Sequence, residues 1–183
     1  MKVMLQSENG VLGLGPFLFE GEEDADLINA RKETVSVLDG RSFFSSDESF
    51  AMIRGLFLDM TMLGAMQVSI VSQYGNWMIP GKMVRGMGGA MDLVSSPTTR
   101  VVATMEHTAK VRVPYYWRSS KDLPLTGKNV VDLIVTEMAV FEVCKENGLR
   151  LVEIGEGVSL DDVRAATGGS FQVSADLKTM GQV

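Results

Sequence analysis

The segment Gln6-Ser7-Glu8-Asn9-Gly10-Val11-Leu12-Gly13-Leu14-Gly15-Pro16 places one carboxylate between an apolar run and a series of glycines. Residues 1–5, Met-Lys-Val-Met-Leu, are predicted to form a short buried strand that ends close to Glu8. The glycines allow backbone conformations and close approaches that side chains forbid. Because reactive groups in open α/β sheets gather at strand ends, Glu8 is a candidate nucleophile. The alternative interpretation is a solvated loop glutamate, since Glu is usually exposed.

A second glycine-rich segment is Gly86-Met87-Gly88-Gly89-Ala90-Met91-Asp92. It lacks the spacing G-x-G-x-x-G, and this excludes the dinucleotide-binding fingerprint. The consecutive backbone N–H groups of such a segment can point into a cleft and form an oxyanion hole for an acyl intermediate. The alternative is a plain tight turn.

The remaining pattern predicts an α/β domain that spans residues 1–183, with a mostly parallel sheet and flanking helices. Residues 34–38 alternate as a strand and stop at Asp39-Gly40, a strong turn pair. Ser and Asp residues before position 49 predict the start of a short helix at 49–55. Further strands are predicted at 58–63, 65–71, 100–105, 130–136, 138–143 and 149–154, and a second capped helix at 159–164.

Composition excludes several classes of protein. The chain has 183 residues, 45% of them hydrophobic, which is enough for one domain with a core. A net charge of −6 without a basic run argues against a nucleic-acid partner or an anionic membrane. The single Cys144 and single His107 exclude a disulfide framework and a Cys/His metal cluster. The acidic cluster at 20–26 is interpreted as a solvated loop, so no metal site is predicted.

Hydropathy argues against a membrane partner as well. No apolar run reaches the roughly 18 residues that a spanning helix needs. The first residues also lack a charged region followed by an apolar region and a cleavage site. We therefore expect neither a membrane nor a targeting segment in this chain.

Ser7-Glu8-Asn9-Gly10, with the Val-Leu-Gly-Leu-Gly-Pro that follows, resembles the active-site signature of the 3-oxoacid CoA-transferases (succinyl-CoA:3-ketoacid CoA-transferases) of class I. The resemblance continues in the same order over nearly the whole chain. It includes Leu63-Gly64-Ala65-Met66-Gln67-Val68, Gly86-Met87-Gly88-Gly89-Ala90-Met91-Asp92, Thr104-Met105-Glu106-His107 and Leu123-Pro124-Leu125-Thr126-Gly127-Lys128. It implies the CoA-transferase (NagB/RpiA-like) fold, and it matches the C-terminal half, or the B-type subunit, of these enzymes.

The resemblance also implies a mechanism. Glu8 attacks an acyl-CoA, expected to be succinyl-CoA, and a glutamyl-CoA thioester then passes CoA to a 3-oxoacid, expected to be acetoacetate. The backbone N–H groups of Gly89 and Ala90 face the thioester carbonyl as an oxyanion hole, and Asn9 and Gly88 are expected to contact the substrate or CoA. Coenzyme A is a substrate, so no resident cofactor is expected. His107 is assigned a structural role, because a carboxylate nucleophile is already ionised and needs no base.

Partners and location follow from the same resemblance. The related enzymes carry a further helix and strand upstream and act with an A-type subunit or an N-terminal domain, as homo- or hetero-oligomers. We expect this chain alone to be weakly active or inactive, and to self-associate. The compartment would be the mitochondrial matrix in a eukaryote and the cytoplasm in a bacterium. Residues 111–122 depart from the family, because an aromatic, Pro-containing segment replaces a Lys-rich one.

Two other classes of function remain open. The chain can be a catalytically incomplete subunit with the role of a binding or structural partner. It can also be a sugar-phosphate isomerase-like domain, which needs a general base near a phosphate-binding cation. Lys82 and Arg85 are the basic side chains near the glycines that such a site would use.

Overall fold

A computed structural model describes residues 3–69, 73–76, 78–79, 83–84, 86, 88–108 and 124–181. The helices and strands in chain order are β1 (Gln6–Ser7), β2 (Val11–Leu14), β3 (Val37–Phe43), α1 (Ser46–Arg54), β4 (Met60–Gly64), β5 (Gln67–Val68), β6 (Tyr74–Gly75), β7 (Met78–Ile79), β8 (Met83–Val84), α2 (Ala90–Leu93), β9 (Arg100–Thr104), β10 (Leu133–Val135), β11 (Ala139–Cys144), β12 (Gly148–Ile154), α3 (Leu160–Ala166) and β13 (Phe171–Thr179). The chain divides into two compact units, Met1–Phe57 and Leu58–Val183. The single domain over residues 1–183 stays a prediction.

The first unit contains a three-stranded antiparallel sheet in the order β1-β2-β3, followed by helix α1. The helix predicted at 49–55 is confirmed, with an earlier start at Ser46. It starts there because the carboxylate of Glu48 accepts from both the backbone N–H and the hydroxyl of Ser45, each at 3.1 Å. This arrangement is the carboxylate half of a capping box, which stabilises a helix N-terminus.

Two predicted features of the first unit are wrong. Residues 3–5 belong to no strand and their side chains are exposed, so the predicted buried strand at 1–5 is not found in its described part. The turn predicted at Asp39-Gly40 is instead the middle of β3. Gly40, with a positive φ of +83°, lies in the part of β3 where the pairing with β2 shifts register, since Leu12 is opposite Ser42 and Leu14 is opposite Val37. Glycine in a strand often marks such an irregularity.

The second unit is built on a six-stranded sheet in the order β13-β12-β11-β10-β9-β4. The pairs β4–β9, β9–β10 and β12–β13 are parallel, while β10–β11 and β11–β12 are antiparallel. The α/β class with a mixed, mostly parallel sheet is therefore confirmed. Its core is formed by fully buried side chains from the sheet and from α3, including Val101, Ile134, Phe141, Leu149, Leu151 and Val163.

The carboxyl ends of the three parallel strands β4, β9 and β10 lie at one edge of this sheet. In the register, Gly64 is opposite Thr104, and Thr104 is opposite Val135. Each of these residues is the last of its strand. In open α/β sheets, ligands bind outside the carboxyl ends of the strands. This edge is therefore the expected position of a site in the second unit.

Over the described part of the chain, the helices are all too short or too polar to cross a membrane.

Candidate active site

Glu8 lies in the tight turn that joins β1 to β2. The backbone N–H of Gly10 donates to the carbonyl oxygen of Ser7 at 3.0 Å and closes the turn around Glu8 and Asn9. The Glu8 side chain is half-buried, whereas Ser7 and Gly10 on either side of the turn are buried. The carboxylate is thus carried on a short, hydrogen-bonded turn and not on a long loop.

Neighbouring segments of the first unit hold this turn in place. The hydroxyl oxygen of Ser7 accepts from the backbone N–H of Ala30 at 3.0 Å. The Asn9 side-chain amide donates to the carbonyl oxygen of Ile28 at 2.7 Å. Asn9 therefore fixes the loop at 28–30 against the turn, and its contact with CoA or substrate stays a prediction.

Gly10 is the residue of this turn that no side chain could replace without rearrangement. Its φ is +115°, a conformation that favours glycine. A Cβ atom at this position would lie 1.9 Å from the carbonyl oxygen of Phe44. The chain needs this close approach, because the backbone N–H of Phe44 donates to the carbonyl oxygen of Gly10 at 3.0 Å.

The second predicted segment starts helix α2 in the second unit. Gly88 has a φ of +54°, and nothing lies within 4 Å of where its Cβ would be, so this face of the turn is open. Gly89 is the residue that precedes the helix, and Ala90 is buried as its first residue. The first N–H groups of any helix have no partner within it. The oxyanion hole formed by the backbone N–H groups of Gly89 and Ala90 stays a prediction.

The predicted site residues divide between the two units. Glu8 and Asn9 lie in the first unit, and Gly88, Gly89 and Ala90 lie in the second. Lys82 and Arg85, the basic side chains that a phosphate site would use, and the divergent residues 111–122 fall outside the described residues.

His107 follows β9 at the carboxyl edge of the sheet and is fully buried. Its Nδ1 lies 2.9 Å from the hydroxyl of Thr136, and its Nε2 lies 3.0 Å from the hydroxyl of Thr167. The ring thus connects the end of β9 with the turn after β10 and the end of α3. This position supports the structural role expected from the sequence.

Burial lowers the pKa of the His107 imidazole, because the charged form loses solvation, and the negative charge of Glu137 opposes this shift. The Glu137 carboxylate also accepts from the backbone N–H of His107 at 2.8 Å. His107 is therefore held as a neutral ring near neutral pH, with both nitrogens facing hydroxyl groups.

A metal centre has no support in the described ranges. Within them, no three His, Cys, Asp or Glu side chains come together in a group that could hold a metal ion.

Sequence reasoning missed the position of Ser7, which is buried and fixes the loop at 28–30. The signal was its place directly before Glu8 in the tetrapeptide Ser7-Glu8-Asn9-Gly10. It also missed two glutamines with buried amide atoms, Gln67 and Gln73, at the ribbon β5–β6. Gln67 stands inside a segment that carried the resemblance.

The family model described as "Coenzyme A transferase" matches residues 1–166 of this sequence. The chain belongs to the coenzyme A transferase family. Among its relatives, the mitochondrial succinyl-CoA:3-ketoacid coenzyme A transferase 2A of Mus musculus is 60% identical over 183 residues, which is 100% of this chain and 35% of the mouse protein. The chain thus spans about a third of the length of the mammalian relatives.

Bacterial relatives of this coenzyme A transferase are covered more completely. The B-type subunit of the Helicobacter pylori succinyl-CoA:3-ketoacid coenzyme A transferase is 50% identical over 173 residues, which is 94% of this chain and 82% of that protein. The beta subunit of the Escherichia coli K12 acetate CoA-transferase is 45% identical over 177 residues, which is 97% of this chain and 79% of that protein.

Solved structures confirm the fold. An acyl-CoA transferase of Escherichia coli O157:H7, determined as a thioester complex with CoA, has a TM-score of 0.73 at 24% identity and covers 97% of this chain and 35% of that one. The decarboxylase AibA/AibB has a TM-score of 0.68 at 20% identity, and the match covers 97% of this chain and 70% of the decarboxylase chain. A transferase and a decarboxylase share this fold, so the fold alone does not decide the reaction.

Proposed function

We propose that this chain carries the nucleophile of a CoA-transferase that moves CoA from an acyl-CoA, in the first place succinyl-CoA, to a 3-oxoacid such as acetoacetate. The observation that carries the proposal is the placement of Glu8 in the Ser7–Gly10 turn, where buried neighbours and hydrogen bonds hold it. The 60% identity to the mouse succinyl-CoA:3-ketoacid enzyme supports the choice of substrates. A firmly positioned nucleophile reacts faster, because the entropy of orientation has already been lost.

In the proposed reaction, a carboxylate oxygen of Glu8 attacks the thioester carbonyl carbon of the acyl-CoA. The carbon–sulfur bond breaks, the CoA thiolate leaves, and an acyl–glutamyl anhydride remains. The thiolate then attacks the glutamyl carbonyl and releases the first carboxylate, which gives a glutamyl-CoA thioester on Glu8. The second acid takes up CoA by the same steps in reverse, so the thioester bond is conserved throughout.

Each attack creates a negatively charged oxygen, which needs donors already in place. We assign this task to the backbone N–H groups of Gly89 and Ala90 at the start of α2. One oxyanion donor is typically worth about 3–4 kcal/mol of transition-state stabilisation. Asn9 and Gly88 are proposed to contact the substrate or the CoA thiol end from the two turns.

The complete activity is proposed for an assembly and not for this chain alone. The chain covers 35% of the mouse enzyme, and its Helicobacter relative is named as one subunit of an enzyme. We propose that an A-type CoA-transferase subunit, or an equivalent N-terminal domain, completes the site in a homo- or hetero-oligomer. Coenzyme A acts as a substrate, and ketone body metabolism is the proposed context, in the mitochondrial matrix of a eukaryote or the cytoplasm of a bacterium.

Glu8→Gln tests the proposal, because it keeps the shape of the side chain and removes the nucleophilic charge. With an A-type subunit supplied in trans, transfer from succinyl-CoA to acetoacetate is expected to fall at least about a thousandfold, as for other lost nucleophiles. Glu20→Gln, an exposed carboxylate in the same unit, is the matched control and should keep full activity. Transfer by Glu8→Gln within tenfold of the parent would contradict the proposal. An assembled complex that lacks transfer even with Glu8 in place would favour the role of a binding subunit.

A further inference from the structure

The two-stranded ribbon β5–β6 has one apolar face and one polar face. Val68 and Tyr74 are opposite each other and are buried in the hydrophobic core. Because side chains alternate along a strand, the residues on either side of these two point to the other face. That face carries Gln67, opposite Gly75, and Ser69, whose backbone N–H donates to the carbonyl oxygen of Gln73 at 2.9 Å.

Two side-chain atoms on the polar face are buried without a hydrogen-bond partner in the described part of the chain. They are the amide nitrogen Nε2 of Gln67 and the amide oxygen Oε1 of Gln73. Gln67 is only 7% exposed, so water reaches little of this side chain. A buried polar atom without a partner is destabilising, and such atoms are rare in native proteins unless a ligand or a water molecule completes them.

The neighbouring polar groups already have partners of their own. The Ser69 hydroxyl accepts from the backbone N–H of Gln73 at 3.2 Å. On the other face of the ribbon, the Tyr74 hydroxyl donates to the carbonyl oxygen of Gly64 at 2.7 Å. The Thr126 hydroxyl donates to the Asn76 side-chain oxygen at 2.7 Å. These groups therefore do not complete the two glutamines. All of them are uncharged, which suits a neutral ligand better than an ionised one.

The ribbon also lies at a suitable position in the fold. Gly75 is opposite Gln67 and has no side chain, and a glycine within a strand often marks the close approach of a ligand. Gln67 follows closely on the carboxyl end of β4, at the sheet edge where β9 and β10 also end. This is the edge of an α/β sheet at which ligands bind.

We propose that Gln67 and Gln73 form a recognition site for a secondary amide. The amide carbonyl oxygen accepts from Nε2 of Gln67, and the amide N–H donates to Oε1 of Gln73, so one neutral group completes both atoms. The identity of the ligand rests on the proposed function: coenzyme A carries secondary amides in its pantetheine arm, between the thiol and the nucleotide. The ribbon β5–β6 thus holds the arm, while the reacting thiol end is handled elsewhere.

Calorimetric titration of pantetheine into the full chain carrying Glu8→Gln tests this site without any transfer step. Gln67→Met keeps the length of the side chain and removes its donor, and is expected to weaken pantetheine binding about tenfold. Gln73→Met should have a similar effect. The double variant should lose less binding free energy than the two single variants lose together, because the two groups act on one amide. Gln172→Met, an exposed glutamine on β13, is the matched control and should bind as the parent does.

The two interpretations of the buried amide atoms predict opposite results. If they are only imperfections of the fold, or bind a water molecule, Gln67→Met leaves pantetheine affinity unchanged. That result, or a parent chain that does not bind pantetheine, would overturn the proposal. A thiol-terminated oligo(ethylene glycol), which has no amide, should bind the parent and Gln67→Met equally. Because Glu8 is absent from the titration, failure of the transfer mechanism would show in the Glu8→Gln activity assay and not here.

Discussion

Phe17 and Phe141 show how differently the two units are stabilised. The Phe17 side chain in the first unit is fully exposed, whereas Phe141 in the second is fully buried and packs edge-on against Phe171 with ring centroids 5.3 Å apart. Among the described hydrophobic residues of the first unit, only Val11 and Ile53 are buried. The exposed large ones are Val3, Met4, Leu5, Phe17, Phe19, Leu38, Phe43, Leu56 and Phe57. Hydrogen bonds and glycine geometry therefore position Glu8, while the second unit depends on its core.

The largest expected effect is on the core of the second unit. Phe141→Ala should lower the free energy of unfolding by about 3–5 kcal/mol, because it removes a buried ring and leaves a cavity. Phe17→Ala should change it by no more than about 0.5 kcal/mol, as for other exposed positions. Urea unfolding followed by circular dichroism measures both variants. Equal losses for the two would show that the contrast between the units is wrong.

A smaller but still large effect is expected at Gly10, in the turn of Glu8. Gly10→Ala places a Cβ against the carbonyl oxygen of Phe44 at a positive φ. We therefore expect the free energy of unfolding to fall by about 2–4 kcal/mol, because of overpacking and backbone strain. Gly21 has a similar φ of +92° but open space around it. Gly21→Ala should therefore lower the free energy of unfolding by only about 1 kcal/mol. Thermal unfolding separates the clash from the strain, and similar values for both variants would argue against the close contact.

The smallest expected effect is the pH dependence at His107. Its pKa is lowered in the folded state, so on acidification the unfolded chain takes up the proton first, near the usual pKa of about 6.5. The contribution of His107 to the free energy of unfolding is therefore fully present above this pH. It falls as the pH drops below it, by at most about 1.4 kcal/mol per pH unit. Glu137 opposes the shift. His107→Gln should remove this slope between pH 5 and 7. An unchanged slope would assign it to other groups.

Much of the second unit could be predicted from the sequence. The strands β9, β10, β11 and β12 and the capped helix α3 follow apolar runs and cap signals that are local in the chain. Ser159 shows why: its hydroxyl accepts from the backbone N–H of Asp162 at 3.1 Å, an interaction between residues three apart. Local signals of this kind need no knowledge of the tertiary structure.

The first unit was predicted less well, because its contacts are not local. The apolar residues 3–5 suggested a buried strand, yet their side chains are exposed. Gly40 suggested a turn, but it lies within β3, where the pairing with β2 shifts register between Val37 and Ser42. Glu8 was found through its motif, whereas its support by Ala30 and Phe44 depends on residues more than 20 positions away. The two glutamines of β5–β6 became visible only when the structure showed that their amide atoms are buried.

The most direct test of the account is the mass of the peptide that contains Glu8. The chain is assembled with an A-type subunit, incubated with acetoacetyl-CoA without an acceptor acid, quenched and digested. We predict that CoA is attached to Glu8 as a thioester, that succinate discharges it, and that borohydride converts the Glu8 side chain to the alcohol. A Glu8 peptide of unchanged mass in an assembly that transfers CoA, or CoA bound to another residue, would contradict the assignment of Glu8 as the nucleophile.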